Sequence, residues 1–327
     1  MMIEQPNKKV ISRFFSDFKL PIPIACQEYL PYYLELFDKD YDTKAKYGLF
    51  MDFYEKCGGT NEGFFQATSK VLHDAIERME STLAYEGFIH ADSKGLPFFD
   101  VPGIFKNVAT DKLYHHENDG KMFVSVDMSK ANYQAMKFFA DHFDEPRDEN
   151  LVLNSKDFHD FIGKFSDEPY FQETKQFRQA LFGHLNPKRQ QRLQRYIMGE
   201  IFSKAMEKFP NMDTSIVARA SSDELVVNVD SFNSQAIVDI QSAFREAAEE
   251  LHIAVTVDTF VLRQLKPYKF YEKVFRDGSF GIKCVSNNLM PQVYKYCAGI
   301  KEFSKEDFLF INQDGFLSEF VEHLKFD

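Results

Sequence analysis

The strongest constraint in this chain is a pair of short apolar runs, residues 215–220 and 225–229, set around the polar tetrad Ser221, Ser222, Asp223 and Glu224. Such a pattern reads as two strands joined by a tight turn that displays both acids. Ile237, Ile240, Phe244, Ala247, Ala248 and Leu251 then recur at helical steps, and residues 253–258 read as another strand. Strands followed by a helix bury one sheet face against that helix.

The same alternation occurs upstream. Residues 121–126 (KMFVSV) read as a strand that Asp127 ends, and Ala131, Ala135, Met136, Phe139 and Ala140 supply a helical stripe directly after it. Asp127 therefore stands where a strand hands over to a helix. The first third is expected to be helical: a helix over residues 27–37, and a longer one after Gly58-Gly59-Thr60-Asn61 with Phe64, Val71, Leu72, Ala75, Ile76, Met79 and Leu83 on one face. Residues 95–120 read as loops and a turn, and 151–209 as helical and partly basic, with Pro187 opening a helix. The last 60 residues carry no motif. The expectation is an α+β fold, an antiparallel sheet backed by helices. Its division is a helical N-terminal region (1–110), a sheet domain (111–275) with a helical insertion at about 145–210, and a mixed C-terminal region (276–327).

Composition limits function. No apolar stretch of the chain approaches the roughly 20 residues of a membrane helix, and the first residues carry charge without a signal-peptide run. These features point to a cytoplasmic protein with no membrane partner. Cys26, Cys57, Cys284 and Cys297 lie far apart and read as reduced thiols, and the His115-His116 pair reads as loop decoration. A net charge of −11 argues against a surface that grips nucleic acid everywhere. Two basic stretches, residues 188–208 and 263–276, still allow a nucleotide or nucleic-acid groove on an acidic body. The 36 phenylalanines sit mostly at core spacing; a Phe-rich surface that contacts a protein partner is a separate reading.

Two segments carry a resemblance. Residues 216–258, IVARASSDELVV through AVTVD, resemble the third catalytic motif of family A DNA polymerases. Residues 123–141, FVSVDMSKANYQAMKFFAD, resemble the first motif of the same superfamily, with a D-x-S-x-x-x-x-Q pattern closer to the single-subunit RNA polymerases. The resemblance implies that the sheet domain (111–275) is palm-like with a reduced fingers insertion and the N-terminal region (1–110) thumb-like, that Asp127 and Asp223 are ligands of catalytic Mg²⁺ or Mn²⁺, and that Glu224 lies at the turn beside the primer end. Ser222 stands where the family usually has His, and Asn132 where the DNA enzymes carry a Glu that excludes the ribose 2′-hydroxyl; Tyr133 is the nearby candidate to replace it. The middle motif is matched only by spacing: Lys188, Arg192 and Tyr196 recur at four-residue steps on one helical face and would hold the triphosphate and base.

The implied function is nucleotidyl transfer to a nucleic-acid 3′ end by two-metal-ion chemistry, with nucleoside triphosphates and nucleic acid as partners. The alternative is a polymerase-derived protein that binds nucleic acid or protein without catalysis. A compact chain of this kind suits a bacteriophage, acting in the host cytoplasm, or a bacterium.

Overall fold

The computed structural model describes residues 6–91, 112–142 and 155–327. Among these, the chain opens with helices α1 (Lys8–Phe18), α2 (Leu30–Tyr41), α3 (Thr43–Lys56), α4 (Asn61–Glu80) and α5 (Leu83–Ile89). Helix α1 starts where the Asn7 side chain accepts from the Lys9 and Val10 amides, and Val10, Ile11, Phe14, Phe15 and Phe18 form its buried stripe. The long face expected to run to Leu83 breaks at Thr82. That hydroxyl accepts from the Tyr85 amide and begins a new helix, which leaves Leu83 exposed.

A six-stranded antiparallel sheet follows, built from β1 (Met122–Met128), β2 (Val217–Ala220), β3 (Glu224–Asn228), β4 (Val255–Leu265), β5 (Phe270–Phe275) and β6 (Phe280–Lys283) in the order β2-β3-β1-β4-β5-β6. Helices α6 (Ala131–Asp141), α10 (Pro187–Lys208) and α11 (Ser234–Glu250) pack together, and α11 lies against β1 and β4. The first four strands with their helices make a β-α-β-β-α-β unit in which β1 is flanked by β3 and β4. The expected α+β class and antiparallel sheet are therefore present. Two strands beyond the expected set, β5 and β6, come from the region that carried no motif, and β4 runs to Leu265 rather than stopping at Asp258. The sheet thus continues past residue 275.

Helix α7 (Phe158–Gly163) packs on α8 (Pro169–Glu173), and α8 with α9 (Lys175–His184) packs on α1, α3 and α4. Tyr170 stacks on Phe53 with ring centres 4.6 Å apart and meets Phe64 edge-on. Its hydroxyl donates to Asp17, a fully buried carboxylate also held by Arg13 Nε at 2.8 Å. Burial pushes the Asp17 pKa up against the pull of Arg13. One core cluster runs without a break from Val10 on α1 through α9 and the helix-covered sheet face to Leu309.

Residues 155–209 follow the helical expectation, while those of 95–111 and 151–154 lie outside the described residues. After β6 the chain forms α12 (Met290–Cys297) and a small hairpin, β7 (Leu309–Ile311) with β8 (Leu317–Glu319). The other sheet face carries its own small cluster. Phe123, Val226, Phe260, Leu262 and Tyr271 are covered there by Leu113 and Tyr114.

Candidate metal site

Strand alternation sends Phe123, Ser125 and Asp127 to the sheet face away from α11, and Val124, Val126 and Met128 to the helix-covered core. Asp127 is paired in register with Glu224 of β3 on one side and Thr256 of β4 on the other. The Met128 amide donates to the Asp223 carbonyl at 2.9 Å, so the hairpin turn sits directly beside the end of β1. Glu224 begins β3 instead of lying in the turn, which is made by Ser221, Ser222 and Asp223. Ser221 fixes that turn: its hydroxyl accepts from the Glu224 amide at 2.9 Å and donates to Asp223 Oδ1 at 3.1 Å.

Asp127 is exposed as a residue, and its carboxyl sits among the charges of the hairpin. Burial, then the negative charges of Glu224 and Asp223, raise its pKa to about 6, while Lys273 and Lys175 pull the other way. Glu224 is not left bare. Lys273 Nζ lies 3.1 Å from its Oε1 and Arg219 Nε 3.0 Å from its Oε2. Lys273 is itself almost fully buried, with its ammonium 4.6 Å from the centre of the Phe260 ring, and burial lowers its pKa against the opposing effect of Glu224. Arg219 lies over the Tyr114 ring.

Among the described residues, the one set of three or more His, Cys, Asp or Glu side chains whose ligand atoms all fall within 4.8 Å of one another is His115, His116 and Glu117, all exposed. Asp127 and Asp223 are carboxylates, the donor type that Mg²⁺ takes, one or two at a time with several waters kept.

The turn after Asp127 is held by a side chain that the D-x-S-x-x-x-x-Q pattern contains. Gln134 Nε2 donates to the carbonyls of Ser129 and Ala254, and its Oε1 accepts from the Ala254 amide at 2.7 Å. With the Ser129 amide donating to the Ala254 carbonyl, this clamps the β1–α6 turn to the entry of β4. Lys130 adopts a left-handed backbone there, with φ of 51°. Gln134→Leu removes three hydrogen bonds and is expected to cost about 1–3 kcal/mol, read as a lower urea midpoint with an unchanged slope.

The remaining expected residues are spread over two helices. Lys188 and Arg192 are exposed on α10, and Tyr196 is half-buried with its ring 6.3 Å from that of Phe138. Asn132 Oδ1 accepts from Gln194 Nε2 at 2.6 Å, a bond that ties the first turn of α6 to the middle of α10. Lys188 lies six residues along α10 from Gln194, roughly 9 Å of helix rise. Tyr133 does not face the site. It is buried against Phe158 and Phe161, and its hydroxyl donates to the Ser155 carbonyl, so the sugar contact expected of it is corrected to a core role.

Sequence reasoning counted Lys273 only as part of a basic stretch and passed over Arg219 and Lys175. The signal for Lys273 was present: it shares the alternation of Tyr271 and Phe275, which places a lysine on an apolar strand face. Comparisons with protein-family models, with curated proteins and with solved structures find no match to this chain.

Proposed function

We propose that this chain transfers nucleotidyl groups, with Asp127 and Asp223 binding the divalent cation and Glu224 shaping the site beside them. The observation that carries the reading is the register of β1 against the hairpin, which sets Asp127 opposite Glu224 and next to Asp223. In the proposed reaction a primer 3′-hydroxyl attacks the α-phosphorus of a nucleoside triphosphate, the bond to the bridging oxygen breaks, and pyrophosphate leaves. Bound Mg²⁺ or Mn²⁺ would offset charge on the attacking and leaving oxygens. Lys188 and Arg192 are the exposed cations proposed for the triphosphate, with Tyr196 and Asn132 nearer the base and sugar.

Support also comes from charge. Burial, and after it two neighbouring carboxylates, raise the pKa of Asp127, and a carboxyl perturbed in this way is a common mark of functional sites. The test is extension of a labelled primer, with and without template, using ribo- and deoxyribonucleoside triphosphates and Mn²⁺. Incorporation by the wild type and its loss in Asp127→Ala and Asp223→Ala, with circular dichroism unchanged, is the expected result. Full activity in either variant rejects the assignment.

Proton competition gives a second check. A cation must displace the Asp127 proton, so Mn²⁺ affinity should be level above pH 7 and fall by up to about tenfold per pH unit below 6. Calorimetry across that range reads it.

One observation favours a binding protein without catalysis: Glu224 is already neutralised by Lys273 and Arg219. On that reading nucleic acid binds equally well with EDTA or Mg²⁺, and no primer is extended.

A further inference from the structure

Strand β4 outruns its neighbour. Its pairing with β5 ends where Phe260 meets Phe275, so residues 255–259 have β1 on one side and no strand on the other. A cleft of about 410 Å³ occupies that free edge, between α11 and the turn joining β5 to β6. This size suits a small ligand.

The polar groups around the cleft are unevenly satisfied. Arg245 of α11 donates from Nη2 to the Val257 carbonyl at 3.0 Å, which anchors its guanidinium at the strand edge. Arg276 lines the opposite wall and makes no ion pair with any described residue. Thr259 lies on the cleft floor at 6% exposure, and its Oγ1 has no hydrogen-bond partner among the described residues. A buried hydroxyl without a partner costs stability, so an orphan facing a cleft marks a place where something else supplies the bond.

The remaining walls narrow the chemistry. Two guanidiniums offer forked donors suited to a phosphate. Asp258 adds an acceptor, Asp277 is held by Ser279, and the Phe275 ring supplies an apolar surface. We infer that this cleft binds a phosphorylated small molecule with an aromatic base and donor hydroxyls, of the mononucleotide class: Arg245 and Arg276 take the phosphate, Thr259 and Asp258 take polar groups of the ligand, and Phe275 takes the base. The site is separate from Asp127, on the other side of β4 from β1.

The test is calorimetric titration of the full chain with AMP in EDTA, so that no divalent cation contributes. Saturable binding of one AMP per chain is expected, weakened at least tenfold in Arg276→Gln and several-fold in Thr259→Val. Thr259→Val should melt no lower than wild type without ligand, because it removes the orphan hydroxyl and little else. The inference is overturned if AMP does not bind, or if it binds Arg276→Gln as tightly as wild type. Loss of AMP binding in Asp127→Asn with none in Arg276→Gln would place the nucleotide at the acidic hairpin and equally overturn it.

Discussion

Replacing Asp307 with alanine is expected to lower stability by about 3–5 kcal/mol, the range for removing one partner of a buried ion pair. Asp307 is fully buried and accepts at Oδ2 from Lys295 Nζ and from the Ser304 amide, both at 2.8 Å, while Tyr32 donates to Oδ1 at 2.5 Å. Lys295 is 6% exposed and otherwise reaches only the Glu302 carbonyl among hydrogen bonds with described residues. Without Asp307 that ammonium is left in the interior, and the Tyr32 contact that joins α2 to the C-terminal segment is lost as well. The double change Lys295→Met with Asp307→Leu removes both charges and should recover much of the loss. Chemical denaturation of the three proteins decides it: equal melting of Asp307→Ala and wild type contradicts the role of the pair.

The second large effect is expected at Asp127, where stability and activity should move in opposite directions. Its carboxyl has a pKa raised to about 6, chiefly by burial and then by Glu224 and Asp223. A raised carboxyl pKa means the folded state holds the proton more tightly than the unfolded chain, so stability from this group is present at low pH and is lost as pH rises from the ordinary carboxylate range through about 6. Asp127→Asn keeps the shape and cannot ionise. In EDTA at pH 7.5 it should melt at or above the wild-type temperature, and the wild type should lose more stability than the variant between pH 4.5 and 7. Primer extension should meanwhile fall by about a thousandfold, the worth of several kcal/mol of lost charge stabilisation. A variant that melts well below wild type at pH 7.5 contradicts the charge account, because the cost of holding a partly buried charge beside Glu224 and Asp223 would then not dominate at this position.

Much of the sheet was legible from local pattern. The strand of residues 121–126, the polar turn from Ser221 and the helix after it are short-range features that alternation and helical spacing reveal, whereas the meeting of Asp127 with the hairpin was implied only by the resemblance. The extent of β4 and the presence of β5 and β6 were not legible, since residues such as Tyr271 and Lys273 gain their meaning only from partners on β4 and β6. The charge balance of the site was hidden for the same reason. Lys273 stands 49 positions from Glu224, and no periodicity in either segment announces that they meet. Tyr133 was misread because its helix presents that position to Phe158 and Phe161, whose packing is a tertiary fact. Gln134, by contrast, belonged to a recognised pattern, and its three hydrogen bonds supply a structural reason for the spacing.

The acidic end of the sheet is best tested by crystals soaked in Mn²⁺ and measured for anomalous scattering. The account predicts a peak between the Asp127 and Asp223 carboxylates that disappears in Asp127→Asn. Absence of a peak there at saturating Mn²⁺, or a peak confined to His115, His116 and Glu117, would contradict it.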